Sequence, residues 1–264
     1  MFNLTPIVKN LLIINVLMFA VPELFLTKNL FIEFFGLRYI LSPEFSITQL
    51  VTYSLVHASW GHLLSNMFGL AIFGPILEAT LGARKFLIFY FVTAIGAGLI
   101  YSGIHYWEVK PFQDAAEAFL RSPNPDSFVQ IFSGFSRTTY ENNLAFIDQY
   151  SRNPDNEMLK DQAVKTINSI LDMRVNTPMV GASGAIFGIL MGFGYLYPNL
   201  QMILLFPPIP IRAKYLVGFY GISALYSAIQ KVPGDNVAHF AHIGGMLVGF
   251  LLLRYWKTSS KYFS

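Results

Sequence analysis

Six polar side chains sit in otherwise apolar stretches of this sequence, and their types would suit nucleophilic chemistry. Ser183 lies in "PMVGASGAIFGILMGFGY", flanked by Ala182 and Gly184. His242 lies three residues after His239 in "NVAHFAHIGGMLVGFLLL". His62 and Asn66, four apart, lie in "LVHASWGHLLSNMFGLAIFG", with His57 five residues earlier. A serine hydroxyl is a poor nucleophile until a base takes its proton, and histidine is the usual base. Imidazole and amide N–H groups can then stabilise the oxyanion of acyl transfer. Each residue also has a plain structural reading. Ser183 could be one small residue in a packing seam with Gly184, Gly188 and Gly192, and His62 and Asn66 could simply hydrogen-bond between helices.

Spacing favours the chemical reading. His62 and Asn66 share one helical face, whereas His57 is about 140° round an ideal helix from His62 and need not face the same place. Gly245 and Gly249 lie three and seven residues past His242. Glycines there let their helix approach the glycine seam that begins at Gly184, which would bring His242 beside Ser183. His239 is one turn nearer the outer surface, where it would border a cavity or hold a loop. Phe187, one turn after Ser183, can stack on His242. Carboxylates are absent where a triad would need one: Glu78 belongs to the far end of its helix, and Asp235 is seven residues, about 10 Å of helix, before His242. A Ser–His dyad remains, with His62 and Asn66 as oxyanion donors.

The surrounding chain is that of an all-α membrane protein. Of its 264 residues 54% are hydrophobic and 12% charged, about half the usual charged share. Long apolar runs exclude a transmembrane barrel. A net charge of +3 without a basic block gives no footprint for nucleic acid. With no cysteine, the redox compartment is unreadable. Six spans are predicted, over residues 8–26, 50–76, 85–106, 182–197, 211–230 and 236–256. The first could pass for a signal peptide, but no A-x-A site follows it, and it is read as a retained helix. The fourth span is short, about 24 Å, so Ser183 should lie in a recessed, water-filled cavity near a helix N-terminus.

Loop charge sets the orientation. One side holds Lys9, Arg84, Lys85, Arg212, Lys214, Arg254, Lys257 and Lys261 against Glu78 alone. The other holds Lys28, Arg38 and Lys231 against Glu23, Glu33, Glu44 and Asp235, together with the long segment 107–178. Both termini are therefore expected to be cytoplasmic, in the cell (inner) membrane. Tyr106, Trp107, Tyr255 and Trp256 fit interfacial belts. Segment 107–178 is expected to be an extracytoplasmic insertion between the third and fourth spans, within a single membrane domain covering 1–264. It carries 17 of the chain's 33 charged residues. It reads as two or three amphipathic helices. One would open at Pro111, with Phe112, Ala115, Ala116 and Phe119 on a face; another runs near 156–174, with Val164, Ile167 and Leu171 inward. "SPNPDS" and "RNPDN" punctuate it.

Three segments, "HASWGHLLSN", "GASGAIFG" and "AHFAHIGGMLVG", resemble the signature segments of the rhomboid intramembrane serine proteases. "ILLFPPIPIRAKYL", before the fifth span, is similar to that family too. The resemblance covers about residues 45–106 and 179–256. It implies a six-helix rhomboid-like bundle and a serine endopeptidase that cuts transmembrane segments of single-span membrane proteins lying in the lipid bilayer. It implies a nucleophile at Ser183, a base at His242, and oxyanion donors at His62, Asn66 and the Ser183 backbone N–H. His57 then matches a histidine nearer the outer face, and Phe187 the aromatic packed on the imidazole. No cofactor or metal is implied. Two departures stand out. Residues 27–48 hold Arg38 but lack the family's Trp-Arg pair, and 107–178 is far longer than the usual third loop.

Two other classes fit less well. A non-catalytic rhomboid-like protein that binds client helices usually lacks the nucleophile or the base. A metal site built from His57, His62, His239 and His242 would lack both an H-E-x-x-H motif and an acid ligand. The orientation is testable directly. Protease added outside intact cells is expected to cut within 107–178; digestion only after lysis would invert the topology.

Overall fold

The computed structural model describes residues 3–135, 137–203, 208–230 and 238–259. Lys231, Asp235 and Lys261, part of "ILLFPPIPIRAKYL" and the first two residues of the sixth predicted span lie outside the described residues. The described chain is almost wholly helical. In order it contains α1 (Pro6–Leu24), α2 (Lys28–Phe35), α3 (Gln49–Thr52), a 3₁₀ turn (Tyr53–Leu55), α4 (Trp60–Leu81) and α5 (Ala83–Arg121). There follow α6 (Pro125–Phe135), α7 (Arg137–Asn142), α8 (Leu144–Arg152), α9 (Glu157–Asn176) and α10 (Ser183–Leu196). A two-stranded antiparallel hairpin, β1 (Gln201–Ile203) with β2 (Pro210–Arg212), pairs Met202 with Ile211. It leads to α11 (Ala213–Gln230) and α12 (His239–Ser259).

These elements form two compact units. The first comprises residues 1–37, 45–103 and 178–264; the second comprises 38–44 and 104–177. Within the first, α1, α4 and α5 are each long and apolar enough to cross a membrane, and α10 is a shorter apolar helix. The chain is an integral membrane protein of helical type. The first unit's core joins Val8, Leu11 and Phe19 of α1 to Leu63, Leu70 and Leu77 of α4. Phe86, Phe89 and Tyr90 of α5 and Ala185 and Ile189 of α10 complete it. In lipid, helices associate through packing and polar contacts, because lipid tails are as apolar as leucine.

One polar contact fixes α1. Glu78, near the end of α4 and only 4% exposed, accepts from the backbone N–H groups of Ile7 (3.1 Å) and Val8 (2.9 Å) and from the Thr5 hydroxyl. The first N–H groups of a helix have no intrahelical partner. Pro6 removes one of these donors, and Glu78 satisfies two more from another helix. A carboxylate there also meets the positive end of the helix dipole.

The second unit has the composition expected of a water-stabilised helical domain. Its core gathers Phe112, Ala116 and Phe119 of α5, Phe128 and Phe132 of α6, Ile147 and Tyr150 of α8, and Leu159, Ala163 and Ile167 of α9. α9 opens with an Asn156 cap, whose side chain accepts from the N–H groups of Met158 and Leu159. Arg38 joins this unit from the first loop. It pairs with Glu44 at 2.7 Å and donates to the Asn176 carbonyl at 2.6 Å.

Several predicted boundaries shift. The second span, expected from residue 50, becomes one continuous helix only at Trp60, where Ser59 caps α4 by accepting from the His62 N–H. Residues 50–59 instead hold the end of α3, the 3₁₀ turn and a non-helical stretch from Val56 to Ser59. The third helix does not stop near 106 but runs to Arg121, and Pro111 lies inside it instead of opening a new one. The buried stripe Val109, Phe112, Ala116, Phe119 continues across the proline, so packing overrides the local break. Ala115 does not share that stripe and is exposed. Segment 107–178 holds four further helices, not two or three, because α6, α7 and α8 are too short to show a clear period.

Replacing Glu78 by alanine would strand the Ile7 and Val8 N–H groups and the Thr5 hydroxyl. A loss of about 2–4 kcal/mol is expected, read as a lowered unfolding midpoint in detergent. An unchanged midpoint would mean that α1 is held by packing alone.

Candidate functional site

Ser183 is the first residue of α10, and its position is set by the chain leading into it. Met179 pairs with Leu37 in an isolated bridge, each N–H donating to the other's carbonyl at 2.8 Å. Two residues on, the Gly181 N–H donates to the Tyr53 carbonyl at 2.9 Å. Gly181 has φ +125°, a conformation that side-chain-bearing residues rarely adopt. A turn at Ala182 then starts the helix. The first N–H groups of α10 lack intrahelical partners, and its dipole puts partial positive charge beside Ser183.

Opposite stands α12. A Cβ on Gly245 would run into the Gly184 carbonyl, and one on Gly249 would come within 3.0 Å of the Gly188 carbonyl oxygen. The two backbones therefore touch where side chains would otherwise separate them. One turn before Gly245, His242 reaches Ser183, with Nε2 at 2.8 Å from Oγ. The imidazole lies flat on the Phe187 ring, centroids 4.2 Å apart and planes 6° apart. Phe187 in turn meets Tyr220 of α11 edge-on at 6.2 Å. His239, at the start of α12, is its neighbour: its ring stands perpendicular to that of His242 at 5.8 Å.

His62 approaches the same turn from α4. A Cβ on Gly181 would fall 2.5 Å from both Cε1 and Nε2 of His62, so the imidazole lies over the glycine, two residues before Ser183. His57 is buried, and its ring meets His62 edge-on at 5.1 Å. Asn66, one turn beyond His62, is 5% exposed, and its amide Nδ2 has no hydrogen-bond partner among the described residues. A buried amide donor without a partner is costly in a purely structural role. α4 and α10 are in close contact nearby: a Cβ on Gly69 would come within 2.8 Å of Ile186.

The arrangement sets a hydroxyl beside an imidazole that could take its proton, with a histidine of α4 against the same turn. That set is equipped for acyl transfer. Nothing among the described residues groups three His, Cys, Asp or Glu side chains at a metal-binding spacing. Two residues escaped sequence reading. Gly181 had a signal, as the first glycine of "GASG", but its close contact with His62 depends on packing. Tyr53 had none, since its carbonyl and hydroxyl find their partners in segments far along the chain.

Residues 44–110 and 162–257 match the model of the Rhomboid domain family. Among curated proteins, the chain is 24% identical over 201 residues to RHOMBOID-like protein 12, mitochondrial, of Arabidopsis thaliana, covering 75% of this chain and 43% of that relative. It is 36% identical over 74 residues to Rhomboid protein 1, mitochondrial, of Saccharomyces cerevisiae, covering 28% and 21%. It is 42% identical over 52 residues to Rhomboid-like protein 11, chloroplastic, of Arabidopsis thaliana, covering 20% and 19%. The chain thus spans less than half the length of these relatives.

Gly181→Ala should both strain the backbone and push the His62 ring away. An unfolding penalty of about 1–3 kcal/mol and a shifted His62 imidazole resonance by NMR are expected. An unmoved resonance would contradict the contact.

Proposed function

Because the chain belongs to the rhomboid family, we propose that it is an intramembrane serine endopeptidase whose nucleophile is Ser183 and whose general base is His242. The observation that carries this reading is the 2.8 Å contact between Ser183 Oγ and His242 Nε2 in a membrane helical unit. The imidazole takes the hydroxyl proton as Oγ attacks the scissile carbonyl. It later returns that proton to the leaving amine, and water then hydrolyses the acyl-enzyme. Phe187, flat against the ring, restricts its orientation. The Ser183 backbone N–H, the His62 ring and the Asn66 amide are the oxyanion donors, each suited to charge that develops only in the transition state. His57 supports His62 from behind, and His239 borders the site.

The substrate class is a membrane protein with a transmembrane helix. Ser183 heads a helix of 14 residues, about 21 Å long. That is shorter than a hydrocarbon core of about 30 Å, so the nucleophile lies below the membrane surface. A substrate helix must unwind to present its carbonyl there, which favours helix-weakening residues near the cut. In this reading six helices, α1, α4, α5, α10, α11 and α12, cross the bilayer, both termini lie on the lysine- and arginine-rich side, and 107–178 lies opposite as an insertion. The three relatives carry organelle names and lend no support to a cell inner membrane. The charge count carries the orientation alone.

Kinetics on a purified single-span substrate test the assignment. Ser183→Ala and His242→Ala should fold and show no cleavage, since loss of a general base costs about 10²–10⁴-fold or more. His239→Ala should retain measurable activity. Cleavage by Ser183→Ala, or an inactive His239→Ala beside an active His242→Ala, would refute the roles given.

A further inference from the structure

We propose that Tyr53 is a positioning residue for the nucleophile, setting the height of the Gly181–Ser183 turn against α5. The proposal rests on the protease reading above. Tyr53 is 1% exposed, sits in the 3₁₀ turn before α4, and touches none of the proposed reacting atoms. Its backbone carbonyl receives the Gly181 N–H at 2.9 Å. Its hydroxyl, at the other end of the side chain, donates to the Ala94 carbonyl of α5 at 2.7 Å.

Two glycines make room for that ring. A Cβ on Gly98 of α5 would come within 3.1 Å of Tyr53 Cε1, and one on Gly184 within 3.3 Å of the Tyr53 hydroxyl. The residue therefore spans from α5 to the residues on either side of Ser183, with Gly181 held by its carbonyl and Gly184 seated against its hydroxyl. Leu37, whose backbone pairs with Met179, packs in the same buried cluster. In an apolar interior the Ala94 bond has no water to replace it. Removing the hydroxyl frees the ring to shift, and the carbonyl that holds Gly181 shifts with it. Ser183 then loses its line to His242, although both side chains remain.

The mechanism predicts a loss in the chemical step, not in substrate binding. The test compares Tyr53→Phe with Tyr90→Phe in the full-length protein in detergent. Tyr90 is equally buried in the first unit's main core, but the Gly181 N–H goes to Tyr53 and not to it, so it controls for loss of a buried hydroxyl. Three quantities are read well below the unfolding midpoints: the labelling rate of Ser183 by a fluorophosphonate, and kcat and KM on a single-span substrate. Tyr53→Phe should lower labelling and kcat by about 10- to 100-fold, with KM within about twofold. Tyr90→Phe should leave labelling at the wild-type rate. Should Tyr53→Phe fail to fold, Gly98→Ala displaces the ring by crowding and should lower labelling in the same direction. Wild-type labelling in the folded Tyr53 variant, or in Gly98→Ala where that variant replaces it, overturns the proposal, as does an equal loss in Tyr90→Phe. A wild-type protein that neither labels nor cleaves would refute the protease reading itself.

Discussion

The close approach of α10 and α12 is the constraint on which the site depends. Gly245 faces the Gly184 carbonyl and Gly249 the Gly188 carbonyl, so the helices meet backbone to backbone. A side chain at Gly245 would force the two backbones apart and weaken the reach of His242 to Ser183, while one at Gly249 would crowd the seam more slightly. In lipid there is no general hydrophobic force to restore the contact, so close packing must supply it. The seam is thus the reason that a serine and a histidine 59 residues apart share a 2.8 Å contact.

The turn before Ser183 is held by different means. It is irregular backbone, and such backbone is tolerated at membrane depth only when its polar groups find partners in the protein. Met179 finds them on Leu37, and Gly181 on Tyr53. Gly181 has no side chain where the His62 ring lies, and its positive φ shapes the turn. One glycine therefore serves the conformation of the turn and the position of a proposed oxyanion donor. Glu78 plays a comparable part for α1, because a helix end inside a membrane protein also needs partners for its N–H groups.

The second unit follows other rules. Its helices bury one phenylalanine-rich face and expose charge, as in water-driven folding. It is also where local signals were weakest. α6, α7 and α8 are short, and α5 runs through Pro111 because buried residues on both sides outweigh the missing hydrogen bond.

The sequence by itself determined the class of protein, the approximate helices of the membrane unit and the residues worth watching. Long apolar runs permit little but membrane helices, and polar groups within them are conspicuous. Ser183, His242, His62 and Asn66 were legible because each sits in such a run, and Phe187, Gly245 and Gly249 because helical spacing ties them to those residues. Only the tertiary structure decided the distances. Neither local propensity nor spacing says that α4 begins at Trp60, that His62 lies over Gly181, or that the Tyr53 carbonyl receives the Gly181 N–H. Those facts arise between segments far apart in the chain. Hydropathy and periodicity report the environment each residue prefers, whereas a hydrogen bond depends on where a second segment has come to rest.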